Sequence, residues 1–250
     1  ERERLFVVNS GSTLISEYAL NDLGHVRDLQ WGASVHAFSD THFHIRCGVD
    51  RLYVVDGQWA PGLWTVENLD GSPTAVDHTE QVSGVGDFVL SADETELYYW
   101  YQYGWGAGLA GTAVYRVETG TWSLLDETLI DYQDAFYRDP LDTPILFDES
   151  SLLLLAKNRV FDAFNLTKVL FTFTSDGDDV FDGAVQNAYA ADFAATVMAS
   201  KTQVFSLTDY AAVEPVAASG ADQLFFDKNG RLYALVVNRG ALVYQDIAAP

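Results

Sequence analysis

One short segment is written again and again along this chain. "RLFVV" at Leu5 returns as "RLYVV" at Leu52, "ELYYW" at Leu97, "SLLLL" at Leu152, "ATVMA" at Val197 and "RLYAL" at Leu232, roughly every 45 residues. A second alternating segment follows each of them, such as "TLISEYAL", "LWTVENL" and "TAVYRVETG". A third comes next ("HVRDLQWG", "TWSLLDETLI", "AAVEPVAA"), and from the second copy on another precedes ("HFHIRCG", "DFVLSA", "QLFFDKNG"). Period-2 alternation bounded by turn residues reads as strand, so the unit is a four-stranded meander.

A lone sheet of four strands leaves one face wet. Sheets stacked face to face around an axis bury both faces and protect their edges. The sequence therefore predicts an all-β protein, a β-propeller with six four-stranded blades. A seven-bladed ring, or an incomplete propeller cut from a longer chain, is the alternative. Residues 1–250 read as one domain with units near 1–33, 34–82, 83–134, 135–180, 181–220 and 221–250. The first unit lacks its innermost strand and the last its outermost. The Ala-rich "NAYAADFAAT" is placed as an inner strand by its position in the repeat.

Composition narrows the partners. The 250 residues carry a formal charge of -22, with 36 acidic against 14 basic side chains. Nucleic acid is an unsuitable partner, because phosphate contacts need clustered Lys and Arg. Divalent cations or a cationic partner suit such a surface better. No apolar run approaches the length that spans a bilayer, so membrane insertion is not expected. The sequence opens at Glu1 without a signal-type segment and reads as a mature form or an excised domain. Cys47 is the single cysteine, so no intrachain disulfide forms. Between apolar neighbours in "HFHIRCGV" it is expected to be a small buried hydrophobe.

"RLFVVNSGSTLISEYAL", from Arg4 to Leu20, resembles the bacterial surface-protein propeller repeats of YVTN type. The resemblance implies a propeller of secreted or surface proteins, hence an extracellular location, and it carries no catalytic residue. A propeller by itself does not settle function.

Three constellations could carry chemistry. The first is aromatic. "YYWYQYGWGAGLAG" holds Tyr98, Tyr99, Trp100, Tyr101, Tyr103 and Trp105 before a glycine-rich tip, and "GQWAPGLW" places Trp59 and Trp64 at the matching hairpin of the preceding unit. Aromatic faces stack on sugar rings and anchor protein interfaces. Trp59, Trp64, Tyr101, Tyr103 and Trp105 are the candidate ligand-binding residues. The competing reading packs Tyr99, Tyr101 and Tyr103 between sheets.

The second constellation is His42, His44 and Arg46, on one face of an inner strand, with Phe43, Ile45 and Cys47 on the other. In an enzyme the histidines would serve as base or metal ligands and Arg46 would meet a substrate carboxylate. The alternative is a pair of histidines packed between sheets. The third is "SDGDDVFDG", with Asp176, Asp178, Asp179 and Asp182. Clustered carboxylates suit Ca2+, although the spacing departs from an EF-hand loop, and a solvated acidic turn explains them equally. Asn165 opens an "NLT" glycosylation sequon. There is no nucleophile elbow, phosphate loop or dinucleotide fingerprint.

The expectation is a non-catalytic extracellular module that engages a glycan or a protein through aromatic loops, with no cofactor unless Ca2+ is one. The rivals are a lyase or hydrolase acting on polysaccharide through His42, His44 and Arg46, and a scaffold subunit of a surface protein.

Overall fold

A computed structural model describes residues 3–8, 13–31, 43–56, 62–82, 85–103, 111–132, 145–156, 159–172, 190–200, 203–216, 223–227, 229–236 and 241–246. Among these residues there is no helix, and the strands form six antiparallel meanders. The first holds β1 (Arg4–Val8), β2 (Leu14–Ala19) and β3 (His25–Gln30). The second holds β4 (Phe43–Cys47), β5 (Arg51–Asp56), β6 (Leu63–Glu67) and β7 (Thr74–Asp77). The third holds β8 (Val85–Leu90), β9 (Glu96–Tyr103), β10 (Gly111–Glu118) and β11 (Ser123–Tyr132). The fourth holds β12 (Ile145–Asp148), β13 (Leu153–Ala156), β14 (Arg159–Asp162) and β15 (Asn165–Thr172). The fifth holds β16 (Ala190–Asp192), β17 (Val197–Ala199), β18 (Gln203–Ser206) and β19 (Ala212–Pro215), and the sixth β20 (Gln223–Phe226), β21 (Arg231–Val236) and β22 (Ala241–Asp246).

The chain divides into two compact units. One comprises Glu1–Tyr103 and Tyr115–Leu125, the other Gly104–Val114 and Asp126–Pro250. In the first, the repeated "LYVV" run has a direct cause. Successive side chains of a strand point to opposite faces. Leu52 and Val54 join Ile15, Leu29 and Trp31 of the first meander, while Tyr53 and Val55 join Phe88, Leu97 and Tyr99 of the third. A strand buried on both faces is apolar at consecutive positions rather than alternate ones. Glu17 is an exception inside that core. Its fully buried carboxylate is held by Arg4 of β1 and by Arg27 of β3, the latter at 2.6 Å, so the charge is paired on both sides, as burial requires.

The second unit repeats the scheme with smaller residues. Met198 meets Leu155 and Val160 of the fourth meander, while Val197 and Ala199 meet Leu224 and Leu232 of the sixth. Ala190 is buried in β16, so the described part of the Ala-rich segment is strand at Ala190–Asp192 and a turn at residues 193–196. One hairpin turns earlier than "RVFDAFNL" suggests. The Asp162 carboxylate accepts the Phe164 N–H at 3.1 Å, and β15 starts at Asn165.

The turns leading into β9, β13, β17 and β21 share one device. Each puts a residue in the left-handed region, at Glu94, Leu152, Thr196 and Gly230. Each also uses an aspartate oxygen as a backbone acceptor: Asp93 for Thr95 N–H, Asp148 for Ser150 N–H, Asp192 for Ala195 N–H and Asp227 for Asn229 N–H. These local caps are the usual use of Asp at turns. They hold the carboxyls of Asp93, Asp148 and Asp227 below the ordinary value: backbone hydrogen bonds do so at Asp93 and Asp227, while at Asp148 burial opposes and the serine hydrogen bonds prevail. Part of the acidic composition is therefore turn chemistry.

Candidate functional site

The polar cluster nearest to a reactive constellation lies between β4 and β8. His44 and Arg46 are two residues apart on β4 and so share a face. Both reach one carboxylate of β8. His44 Nδ1 is 3.1 Å and Arg46 Nη2 is 3.0 Å from Asp87 Oδ1. The Phe88 N–H also donates to that oxygen, at 2.8 Å, and the Arg46 guanidinium sits 5.5 Å from the Phe88 ring centre. The Asp87 side chain is only 3% exposed. Burial pushes its carboxyl up, but the hydrogen bond and charge of His44, then Arg46, outweigh that and hold it below the ordinary carboxylate range.

The arrangement orients an imidazole through Nδ1, as a His–Asp pair does in general-base catalysis. Its other nitrogen, however, is sealed. The His44 side chain is 19% exposed, and Nε2 is buried with no hydrogen-bond partner. A buried nitrogen cannot take a proton from a substrate without movement of its surroundings. Arg46 is committed in the same way, to Asp87 and to the Ile45 carbonyl. His42 lies outside the described residues.

The aromatic candidates separate into two groups. Trp64 was expected on a loop, but it is part of β6, half-buried, with its ring edge-on to Trp31 at 6.3 Å. The register places Trp64 opposite Val54, within the packing against the first meander. Tyr101 is half-buried beside Tyr99, and both rings contact Tyr115, at 6.0 and 5.1 Å between centres. Those three belong to the packing between the second and third meanders. Tyr103 ends β9, and nothing of its side chain is described. Trp59 and Trp105 lie outside the described residues.

The same holds for Asp176, Asp178, Asp179 and Asp182, so the candidate Ca2+ turn carries no geometry. Among the described residues no three His, Cys, Asp or Glu side chains gather as a metal site. Cys47 departs from its expectation. It is exposed rather than buried, because β4 ends there and the chain turns away at Gly48. Asn165 is exposed at the start of β15, where Thr167 Oγ1 donates to its Oδ1 at 2.6 Å.

Three polar residues escaped the sequence reading. Asp87 carried a signal: an acid inside the otherwise apolar run "VGDFVL" must have a buried partner. Glu94 carried none, since its carboxylate acts across a long sequence separation, accepting the Val49 N–H. His78 is the third. It is buried, shares a hydrogen bond with Thr65 Oγ1 at 2.9 Å, and lies against Trp122 with ring centres 4.1 Å apart and planes tilted by 31°. Burial lowers its pKa from the ordinary value, against the opposing pull of Glu67 and Asp77.

No protein-family model matches the chain, and no curated protein does. Solved structures do. The β-propeller domain of Cps50 (Swd1) from Myceliophteria thermophila matches with a TM-score of 0.61 at 12% identity, over 98% of this chain and 81% of that one. Sqt1 from Saccharomyces cerevisiae matches at 0.52 and 12%, and BamB from Moraxella catarrhalis at 0.51 and 10%, each over 98% of this chain and 70% of the other. Identities this low speak to fold alone. The protein has a β-propeller fold. No helix among the described residues is long and apolar enough to cross a membrane.

Proposed function

We propose that this propeller is a non-catalytic interaction module that engages a glycan or a protein through the aromatic loops following β5 and β9. The observation that carries the reading is the fate of the polar groups. His44 and Arg46 are bound to the buried Asp87, and Nε2 of His44 is sealed. The turn aspartates are occupied by backbone N–H groups. What remains for recognition is loop surface, and in the sequence the residues best suited to it are Trp59 and Trp105, with Tyr103 beside them. The likeness of Arg4–Leu20 to YVTN-type repeats supports an extracellular or cell-surface setting, and the six meanders among the described residues support a ring of six blades.

The test is a glycan array of the purified protein, with and without Ca2+, each hit being searched for product by mass spectrometry. Binding without turnover is expected. Trp59→Ala and Trp105→Ala, made separately, should weaken binding with an unchanged Tm. Turnover of a bound polysaccharide would instead support the enzyme reading, and an Asp87→Asn variant that lost turnover while staying folded would assign it to His44. Silence on every glycan would move the proposal to a protein ligand.

A further inference from the structure

Asn165-Leu166-Thr167 is the one Asn-X-Ser/Thr sequence of this chain; no other asparagine has Ser or Thr two positions on. The structure shows how the tripeptide is presented. β14 and β15 are joined by a two-residue turn, Ala163 and Phe164, with Asp162 opposite Asn165. The turn is tied down on both sides. The Ala163 N–H donates to the Leu152 carbonyl at 2.9 Å, and the Leu166 N–H donates to the Asp126 carboxylate at 2.8 Å. All of these residues belong to the second compact unit. Leu166 is fully buried. Asn165 and Thr167, on either side of it, share the opposite face of the strand, and both are exposed. The Thr167 hydroxyl donates to Asn165 Oδ1 at 2.6 Å, which engages the amide oxygen and leaves Nδ2 for substitution. Phe164, 56% exposed and next to Asn165 in the chain, offers an apolar face to a sugar ring.

We infer that Asn165 is an N-glycosylation site, with an oligosaccharide carried on a lipid phosphate as the sugar donor. Asn165 Nδ2 bonds to the anomeric carbon of that oligosaccharide, and the bond from this carbon to the phosphate oxygen breaks. The lipid phosphate leaves with the electron pair, and one amide proton passes to a base of the transferase. The product is a bulky, hydrated group rooted on a rigid surface turn. The inference rests on the extracellular setting proposed above, because this acceptor sequence is used in secreted chains. It does not depend on the aromatic loops.

The test isolates the protein from the organism that makes it, separates extracellular from intracellular pools, and sequences the peptide spanning Asn165 by tandem mass spectrometry. The extracellular protein should carry sugar on Asn165. Asn165→Gln and Thr167→Ala should each lose that mass, whereas Thr167→Ser, which keeps the hydroxyl, should retain it. Extracellular protein with an unmodified Asn165 would overturn the inference and leave the setting standing. Protein found only inside the cell would overturn the setting, and the inference with it. A glycan that persisted in Asn165→Gln would also overturn the inference, since its root would lie on another residue.

Discussion

Gly48 and Glu94 offer a test of how neighbouring meanders are joined. Glu94 sits in the turn before β9 with φ of 58°, and its carboxylate reaches the turn after β4 to accept the Val49 N–H. Tyr53 Oη lies 3.5 Å from the other oxygen. A Cβ added to Gly48 would come within 2.7 Å of Glu94 Cδ and 2.9 Å of Oε1, closer than such atoms are found. Gly48 is not in the left-handed region, so its backbone accepts alanine. The cost of Gly48→Ala is therefore displacement of the carboxylate. A charge-assisted hydrogen bond is worth about 1.5–3 kcal/mol. Val49 is 78% exposed, so water replaces part of it and about 1 kcal/mol is the better figure. Against this, alanine restricts the unfolded chain and returns about 0.5 kcal/mol. Gly48→Ala should thus cost about 0.5 kcal/mol in the native background. In a Glu94→Ala background, with nothing to displace, it should stabilise by about the same amount. The two backgrounds differ by about 1 kcal/mol, or about 2–4 °C in Tm for a chain of this size. Thermal melts of the four proteins read it directly. An equal Tm change in both backgrounds would refute the reasoning.

Other consequences are as direct. Thr196, an exposed β-branched residue at φ of 54°, is strained by about 1–2 kcal/mol, of which a more flexible glycine gives back about half; Thr196→Gly should raise Tm, as a calorimetric scan would show. Asp87→Ala should cost about 2 kcal/mol in a urea melt, less than a fully buried pair because Arg46 is 39% exposed; an unchanged midpoint would mean that His44 and Arg46 find other partners. His78 has a lowered pKa, chiefly from burial, so the folded state binds fewer protons than the unfolded chain once pH falls below about 6.5. Its contribution is complete above that pH and is lost as pH falls toward the lower folded value. The Tm of the native protein should therefore drop more between pH 7.5 and 5.5 than that of His78→Gln, with Trp122 fluorescence reporting the adjacent imidazole.

Strand order and the meander were legible in the sequence because they are local. Alternation of side chains and turn residues recur in every copy, and the doubly apolar "LYVV" announces a strand covered on both faces. From the spacing, the first and sixth units each read as one strand short, and each has three strands among the described residues. Face was less legible than strand. Trp64 reads equally well as loop or strand beside Pro61 and Gly62, and only its pairing with Val54 turns it onto Trp31. Cys47 looked buried by its neighbours, yet a strand's last residue is as exposed as the turn beyond it.

Long-range partnerships belong to the tertiary structure. The link between Arg46 and Asp87, and that between Val49 and Glu94, join residues about one repeat apart, a separation at which sequence pattern has no force. Whether His44 is a base or a packed side chain depended on one atom, Nε2, and on what surrounds it. The sequence by itself determined that this chain makes repeated four-stranded meanders needing neighbours on both faces, since hydrophobic alternation is a property of the strand alone. Which polar groups are consumed in joining those meanders, and which remain for a ligand, was decided by how the sheets stack, because a charge's partners are set by distance in space.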